Sequence, residues 1–286
     1  MFKVGVIIDS LRLGFEKGLE EGSKLGVSGI QVYTVSGEMS PENLSSEKIK
    51  KVKGQLDYYG LEISALCGDL GGHGFENAHD NVLKVERSKR ILDLAGEFDT
   101  KVVTTHIGVV PSDKNDDRRK IMAEACYELG SYADSMKLGM HFAIETGPEK
   151  AVVLKSLLDE LDCNGMGVNF DPANLVMVTG DDPVCAVKTL GNYIVHTHAK
   201  DGIKLSSVEP EIIYNYFANG GIGDLILDEC FLETPLGEGK VNFDNYLKAL
   251  ESVGYKGYLT IERETGSDPL GDIKKAVDFL KQKINK

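Results

Sequence analysis

The sequence lacks the features that mark membrane and secreted proteins. No apolar run approaches the roughly 18 residues that a membrane-spanning helix requires. The amino-terminal segment reaches a carboxylate at Asp9, which is too early for the apolar core of a signal peptide. We therefore expect no membrane partner and a cytoplasmic location.

An excess of positive charge is also missing. The chain has 32 lysines and arginines against 45 aspartates and glutamates, so its formal net charge is −13. The densest basic segment, residues 116–120, itself begins with two aspartates. An acidic surface repels duplex DNA and anionic membranes on average. We therefore expect no nucleic-acid partner.

Cysteine is scarce, and its spacing disfavours two kinds of site. The five cysteines are widely separated and form no CxxC pair. This pattern argues against a structural zinc site and against a redox-active pair, and it is typical of a reducing compartment.

A regular alternation of short β-rich runs and helical segments fills the chain. The predicted strands end near residues 9, 33, 67, 106, 145, 171, 198 and 262. Units of this length allow right-handed parallel crossovers, so they predict an α/β protein with one closed (β/α)8 barrel over residues 1–286. The alternative, an open doubly wound sheet, requires a glycine-rich phosphate loop after the first strand, and residues 8–14 do not match one.

The alternation breaks after the seventh predicted strand. Residues 203–239 are too polar and too rich in glycine for a simple connection. A long excursion after a barrel strand is typical of a segment that covers an active site. We expect an extended lid-like loop here.

The fifth to eighth predicted strands each end in a potential metal ligand. These residues are Glu145, Asp171, His198 and Glu262. Because side chains alternate along a strand, the residues two positions upstream share the inward face, and they are small or polar. Any one of the four could instead cap a helix or pair with a lysine. Their shared position favours a site for manganese, magnesium or cobalt over a sulfur-rich structural zinc site.

Three further side chains are candidate substrate contacts. His106 ends the fourth strand, and Cys67 ends the third and begins a glycine-rich loop that contains His73. Lys200 follows the seventh strand, where it could bind a substrate oxygen or pair with Asp201 or another acid. For His106, a structural role is the alternative.

Two other residues near the strand ends are interpreted as structural. His196 points inward one layer below His198 and is expected to support it. Arg263 should point outward by strand parity and form a salt bridge.

Five segments together resemble the sugar-phosphate isomerase/epimerase family, which has the xylose isomerase-like barrel. They are residues 143–147, 169–174, 195–201, 235–239 and 257–264. The resemblance implies that Glu145, Asp171, His198 and Glu262 are metal ligands, and that Glu145 and Glu262 also move protons. It implies one divalent ion, manganese, cobalt or magnesium, with zinc as a further possibility.

The function implied is a metal-dependent isomerase or epimerase of a small sugar, sugar phosphate or polyol ketone that acts through a metal-stabilised enediolate. The alternative is a dehydratase of the inosose or dehydroshikimate type on the same scaffold. A DNA-repair nuclease of the same superfamily would have more histidine in its site and a more basic surface. A homo-oligomer is possible, since dimers are common among soluble proteins.

Two departures weigh against a free-ketose 3-epimerase. Those enzymes usually have a histidine three residues after the aspartate, where this chain has Asn174. We assign Asn174 to substrate binding. The chain also contains no tryptophan, although aromatic side chains often line the sugar pocket in that subgroup.

Overall fold

The computed structural model describes residues 1–284 of the chain. Within that range, the strands of the barrel are β1 (Lys3–Ile7), β2 (Gly29–Tyr33), β3 (Glu62–Cys67), β4 (Val102–Thr105), β5 (His141–Glu145), β6 (Met166–Phe170), β7 (Ile194–Ala199) and β10 (Tyr258–Ile261). Two more strands, β8 (Asp201–Lys204) and β9 (Phe231–Thr234), form a separate antiparallel sheet. The barrel strands are parallel and close in the order β1-β10-β7-β6-β5-β4-β3-β2. The predicted closed α/β barrel is confirmed.

Helices follow the barrel strands. The α-helices are α1 (Phe15–Leu25), α2 (Ser46–Tyr59), α3 (Ala78–Glu97), α4 (Asp117–Ser135), α5 (Ala151–Leu161), α6 (Pro172–Asn174), α7 (Pro183–Leu190), α8 (Pro210–Asn219), α9 (Phe243–Ser252) and α10 (Pro269–Ile284). A π-helical turn, Leu175–Thr179, continues α6. α3 begins at Ala78 because the side chain of Asn77 accepts hydrogen bonds from the backbone N–H groups of His79 and Asp80 and caps the helix there.

The main apolar core lies between the strands and the surrounding helices. Near the ends of β5, β6 and β10, the side chains that point outward from the barrel are buried in this core. They are Ile144, Phe170 and Ile261. A second, much smaller apolar cluster contains Ala65, Val102 and Ala143. Ala143 shares the inward face of β5 with Glu145, so polar groups stand above small side chains inside the barrel.

The predicted extended segment after β7 has regular structure of its own. It contains β8, α8 and β9, and β8 pairs with β9 from Asp201 opposite Thr234 to Lys204 opposite Phe231. The carboxylate of Asp201 accepts hydrogen bonds from backbone N–H groups at both ends of this insert. The donors are Gly202, Gly237, Gly239 and Val241. The insert is therefore anchored at its base. Whether it acts as a lid stays a prediction.

The helices of residues 1–284 include none with the length and apolar character to cross a lipid bilayer.

Candidate metal centre

The structure brings the four predicted metal ligands together at the carboxyl end of the barrel. One ligand atom from each of Glu145, Asp171, His198 and Glu262 lies within 4.8 Å of the others. The Nδ1 atom of His198 is 3.6 Å from Glu145 Oε1, 3.4 Å from Asp171 Oδ2 and 3.3 Å from Glu262 Oε2. All four residues are buried, with at most 7% of any one exposed.

Strand order explains why residues so distant in the sequence meet. β5, β6, β7 and β10 are consecutive around the barrel. Glu145 lies opposite Asn169, two residues before Asp171, and His198 lies opposite Thr260, two residues before Glu262. Because parallel strands end at the same rim and alternate residues share a face, the four side chains converge.

The cluster can hold a divalent metal ion. Three buried carboxylates repel one another unless a cation lies between them. Burial alone would lower the pKa of His198, but Glu262 and Glu145 raise it well above its usual value, so the carboxylates of this cluster favour a positive charge between them. Asp171 Oδ2 and His198 Nδ1 are buried and lack a hydrogen-bond partner. Three oxygen donors and one nitrogen suit a magnesium- or manganese-like ion.

Gln31 orients the imidazole of His198. Its Oε1 is 3.1 Å from His198 Nε2, and its own amide donates to Thr104 Oγ1 at 3.1 Å. When Nε2–H donates to Gln31, Nδ1 faces the carboxylates with its lone pair. Sequence reasoning missed Gln31. The available signal was an amide on the inward face of an otherwise apolar strand.

Two asparagine amides hold Glu145. Asn169 Nδ2 donates to Glu145 Oε2 at 2.9 Å, and Asn174 Nδ2 donates to Glu145 Oε1 at 3.0 Å. The backbone N–H of Asn174 also donates to Asp171 Oδ1 at 2.8 Å. Asn174 thus donates hydrogen bonds to two of the predicted metal ligands, Glu145 and Asp171. Its predicted contact with substrate stays a prediction.

His106 lies beside Glu145 and is held by Asp69. His106 Nδ1 is 3.0 Å from Asp69 Oδ2, and Nε2 is 3.6 Å from Glu145 Oε1. Burial lowers the pKa of His106, but the carboxylates of Glu145 and Asp69 outweigh it and raise the pKa to about 10. Sequence reasoning missed Asp69, which follows Cys67 closely in the glycine-rich loop.

The remaining candidates of that loop differ in their surroundings. Cys67 is buried, and burial raises the pKa of its thiol, so the thiol stays protonated. His73 lies on the exposed part of the loop. The predicted substrate contact of Cys67 stays a prediction.

Lys200 is a buried cation next to the centre. Its Nζ is 2.9 Å from Glu262 Oε2, and it also donates to the carboxylate of Glu264. Burial opposes the charge, but the two carboxylates raise the pKa of Lys200 well above its usual value. Lys200 does not pair with Asp201, because the Asp201 carboxylate accepts hydrogen bonds from backbone N–H groups. The alternative of a pair with other acids is correct.

Arg263 and His196 lie outside the ligand set. Arg263 forms salt bridges with Glu233 at 2.6 Å and Asp272 at 3.0 Å, which confirms the predicted salt bridge. His196 Nε2 is 3.1 Å from Thr260 Oγ1. Burial lowers the pKa of His196 to about 3, so this imidazole is neutral.

The insert contributes Tyr214, which sequence reasoning also missed. The ring of Tyr214 in α8 is 5.9 Å from the ring of His106, centre to centre. A side chain at Gly147, where φ is +142°, would collide with Tyr214 Oη and Asn174. In the same helix, Glu211 accepts a hydrogen bond from Arg118 of α4 at 3.0 Å. The first half of α8 therefore lies against the Glu145 side of the centre.

A model of the xylose isomerase-like TIM barrel family matches residues 19–283. The chain belongs to this family. Members similar to it are described as isomerases, epimerases and inosose dehydratases.

Two relatives are inosose dehydratases. The one from Clostridium perfringens is 30% identical over 176 residues, which are 60% of this chain and 57% of that protein, so the match spans less than two thirds of its length. The one from Clostridium botulinum is 27% identical over 290 aligned positions, covering 95% of this chain and 90% of that protein.

Two solved structures share the fold. A xylose isomerase domain protein from Planctomyces limnophilus has a TM-score of 0.79 at 24% identity, covering 99% of this chain and 96% of that one. A xylose isomerase-like barrel protein from Mycobacterium smegmatis, in complex with magnesium, has a TM-score of 0.72 at 19% identity, covering 99% of this chain and 97% of that one. At these identities the likeness shows the fold alone.

Proposed function

We propose that the protein is a divalent-metal-dependent isomerase or epimerase of a small sugar, sugar phosphate or polyol ketone. One observation carries the proposal. Glu145 and Glu262 come from strands on opposite sides of β7, and both belong to the buried four-residue cluster. Two carboxylates that flank one substrate can remove a proton from one position and return it at another.

Four residues would hold the ion: Glu145, Asp171, His198 and Glu262. When bound, a divalent ion supplies Lewis-acid polarisation of the substrate carbonyl and offsets the negative charge that develops as the α-proton leaves. Magnesium, manganese or cobalt fits the oxygen-rich donor set, and zinc is the alternative.

We base the roles of the two carboxylates on their surroundings. Glu145 accepts hydrogen bonds from two neutral amides, whereas Glu262 accepts one from an ammonium group. Although burial raises the pKa of Glu262, Lys200 and His198 lower it well below its usual range. Since a carboxylate stabilised by an ammonium is the weaker base, we assign removal of the α-proton to Glu145. Glu262 then delivers a proton that it takes from the ammonium group of Lys200, and after turnover Glu145 releases its proton to solvent while Lys200 takes one up.

A dehydratase is the second candidate, and His106 favours it. Its imidazole, whose pKa is raised to about 10, lies 3.6 Å from Glu145. A protonated imidazole beside the proposed base can protonate a hydroxyl group as it leaves the neighbouring carbon, which expels water. The similarity to inosose dehydratases over nearly the whole chain supports the same reading.

One experiment tests both candidates. The metal-loaded protein is incubated in D2O with ketoses, ketose phosphates and inososes, and the products are analysed by mass spectrometry and NMR. Deuterium that enters a retained sugar identifies an isomerase or epimerase, and loss of one water identifies a dehydratase. If neither change occurs with any compound, the proposed function is wrong.

Metal dependence has its own test. We expect a chelator to remove both the bound ion and the deuterium exchange, and added manganese, cobalt or magnesium to restore them. Metal content is measured by elemental analysis in parallel with exchange. Full exchange in protein shown to be free of metal would contradict the proposed centre.

A further inference from the structure

The segment after β10 begins with the last ligand of the proposed centre, Glu262, and is held by two neighbouring elements. The backbone N–H group of Arg263 donates to Ser10 Oγ at 3.2 Å, and the guanidinium group of Arg12 donates to the carbonyl oxygens of residues 264 and 266. Both of these partners follow β1. Asp272 of α10 accepts a hydrogen bond from Arg263 Nε at 3.0 Å. The loop after β1 and α10 therefore both restrain this segment.

The insert after β7 adds a third partner, the buried carboxylate of Glu233 in β9. Glu233 Oε1 accepts hydrogen bonds from Arg263 Nη1 at 2.6 Å and from the N–H group of Glu264 at 3.1 Å. Glu233 Oε2 lies 3.3 Å from the same N–H group. The side chains of Glu233 and Arg263 are 3% and 9% exposed. Hydrogen bonds between charged groups are short and directional, so Glu233 restrains both the side chain of Arg263 and the backbone of Glu264.

The hairpin of β8 and β9 that carries Glu233 is packed against the segment after β6. Glu233 lies opposite Gly202, and a Cβ atom at Gly202 would collide with the sulfur atom of Met177. Met177 belongs to the π-helical turn that follows Asp171 and α6. The hairpin therefore connects the segment after Asp171 with the segment after Glu262, and both segments begin at a proposed metal ligand.

The position of Glu262 depends on the residues that Glu233 binds, because they follow it directly in the chain. The carboxylate of Glu262 is 3.3 Å from His198 Nδ1, and a rotation of the backbone at residues 263–264 would displace it. Replacing a partner that orients a metal ligand typically lowers metal affinity by about 10-fold to 100-fold. Since Glu233 acts through the backbone rather than on the ligand itself, we expect an effect at the lower end of this range.

We infer that Glu233 is a positioning residue of the centre. It fixes residues 262–264 so that Glu262 faces the other three ligands, and it thereby couples the position of the insert to the affinity for a divalent ion. Because coupling between two equilibria is reciprocal, binding of the ion in turn stabilises the β8–β9 hairpin. The inference rests on the proposed function, since it takes the four-residue cluster as a metal centre.

Metal affinity is the first test. Glu233→Gln removes the charge of the side chain and nearly keeps its size, and it should raise the dissociation constant for Mn2+ by about tenfold. Competition with a metal-binding dye measures this constant in the full chain. A wild-type dissociation constant in the folded variant would overturn the inference.

A second buried arginine provides the matched control. The side chain of Arg119 in α4 is 2% exposed and pairs with Glu160 of α5 at 3.0 Å, away from the four ligands. Glu160→Gln also takes a carboxylate from a buried guanidinium group, so it should destabilise the fold, but its dissociation constant for Mn2+ should match the wild type. Equal weakening of Mn2+ binding in both variants would show that Glu233 contributes only to general stability.

Amide exchange of the wild-type protein gives a readout that does not require a folded variant. Mn2+ should slow exchange in residues 231–234 by about threefold more than in α2, which lies between two strands that carry none of the four ligands. In Glu233→Gln this difference should disappear. Exchange in residues 231–234 of the wild type that does not respond to Mn2+ would overturn the inference.

The failures of the two proposals are distinguishable. If the wild type and Glu233→Gln bind Mn2+ equally well, the proposed function stands and the inference about Glu233 is wrong. If the wild type binds no divalent ion, the proposed function is wrong, and amide exchange of residues 262–266 in the metal-free protein then tests whether Glu233 fixes this segment. Faster exchange there in Glu233→Gln than in Glu160→Gln would support that role, and equal rates would refute it.

Discussion

The two carboxylates that flank His198 are held in different ways. On one side, Glu145 accepts hydrogen bonds from the neutral amides of Asn169 and Asn174. On the other side, Glu262 accepts from the ammonium group of Lys200, which Glu264 also contacts. Burial raises the pKa of both carboxyls, but His198 and His106 lower that of Glu145, and Lys200 and His198 lower that of Glu262. The amides fix the orientation of Glu145 without adding charge, whereas the ammonium group of Lys200 compensates the charge of Glu262 directly.

Because their partners differ, the two carboxylates of one cluster can have unequal proton affinities. Each side carries one cation beside its carboxylate, but at a different distance. His106 Nε2 is 3.6 Å from Glu145, and Lys200 Nζ is 2.9 Å from Glu262. The Glu262 side is the more strongly neutralised of the two. Substitutions on each side can therefore test whether the two sides differ in this way.

The largest expected effect comes from replacing either carboxylate. Glu145→Gln and Glu262→Gln should each lower kcat by at least about 1000-fold, because each removes a group to which we assign both proton transfer and metal binding. Steady-state rates are measured with the substrate found in the D2O panel, and metal content is measured alongside. Glu251→Gln serves as the control and should retain the wild-type rate. A near-normal rate in either variant with metal bound would contradict its role in proton transfer.

Loss of the buried ammonium group should have the next largest effect. Lys200→Met leaves Glu262 without its compensating charge, and breaking a buried pair costs about 3 kcal/mol in the free energy of unfolding. Asn174→Ala on the other side removes one hydrogen bond, from a neutral amide to Glu145, and should cost about 1.5 kcal/mol. Urea unfolding at saturating magnesium measures both values.

An exposed lysine provides the control for that comparison. Lys24 pairs with Glu20 and Glu21, and its side chain is 57% exposed. Lys24→Met should change the free energy of unfolding by less than about 1 kcal/mol. Equal losses for Lys200→Met and Asn174→Ala would show that the two sides do not differ in the way described.

Gln31 acts on the ligand that the two sides share. Gln31→Leu removes the acceptor for His198 Nε2–H, so metal affinity should fall by about 10-fold to 100-fold. Competition with a metal-binding dye measures the dissociation constant. Gln55→Leu removes a half-buried glutamine that donates to Glu16, and the metal affinity of this variant should match the wild type. Unaltered affinity in Gln31→Leu would show that His198 does not need this partner.

A pH-dependent effect on stability concerns Glu149, on the Glu145 side. Burial raises the pKa of Glu149 to about 8, although the N–H of Val110 donates to its carboxylate. The folded state therefore holds a proton that the unfolded state releases near its ordinary pKa of about 4.3. The stabilising contribution is complete below that pH and is lost as the pH rises towards 8.

Glu149→Gln should remove this pH dependence. The free energy of unfolding of the wild type should fall relative to the variant by up to about 1.4 kcal/mol per pH unit between pH 5 and pH 8. Urea unfolding at several pH values gives the two slopes. Parallel slopes would show that Glu149 is ionised in the folded protein throughout this range.

Most of the barrel and all four clustered residues were predictable from the sequence because they depend on local patterns. Strand parity places Glu145, Asp171, His198 and Glu262 on inward faces, and the alternation of strands and helices brings their ends to one rim. The extended segment after β7 was predicted, but the strands and helix within it were not. β8 pairs with β9, and such short polar strands carry little signal outside the pair.

The supporting residues could not be predicted, since their partners are remote in the chain. Gln31 and His198 are 167 residues apart, and the sequence does not say which acceptor an imidazole will meet. Tyr214 reaches His106 only because the insert folds back over the rim. Lys200 had several acids within possible reach, and its choice of Glu262 and Glu264 depends on side-chain geometry.

The sequence by itself determined the barrel and which side chains line its carboxyl end, because periodicity fixes the direction of each side chain relative to its strand. The tertiary structure alone decided how each of those groups is compensated. Whether a carboxylate meets an amide or an ammonium group depends on contacts between strands and loops distant in sequence. That choice sets the proton affinity of Glu145 and Glu262, and with it the chemistry we propose.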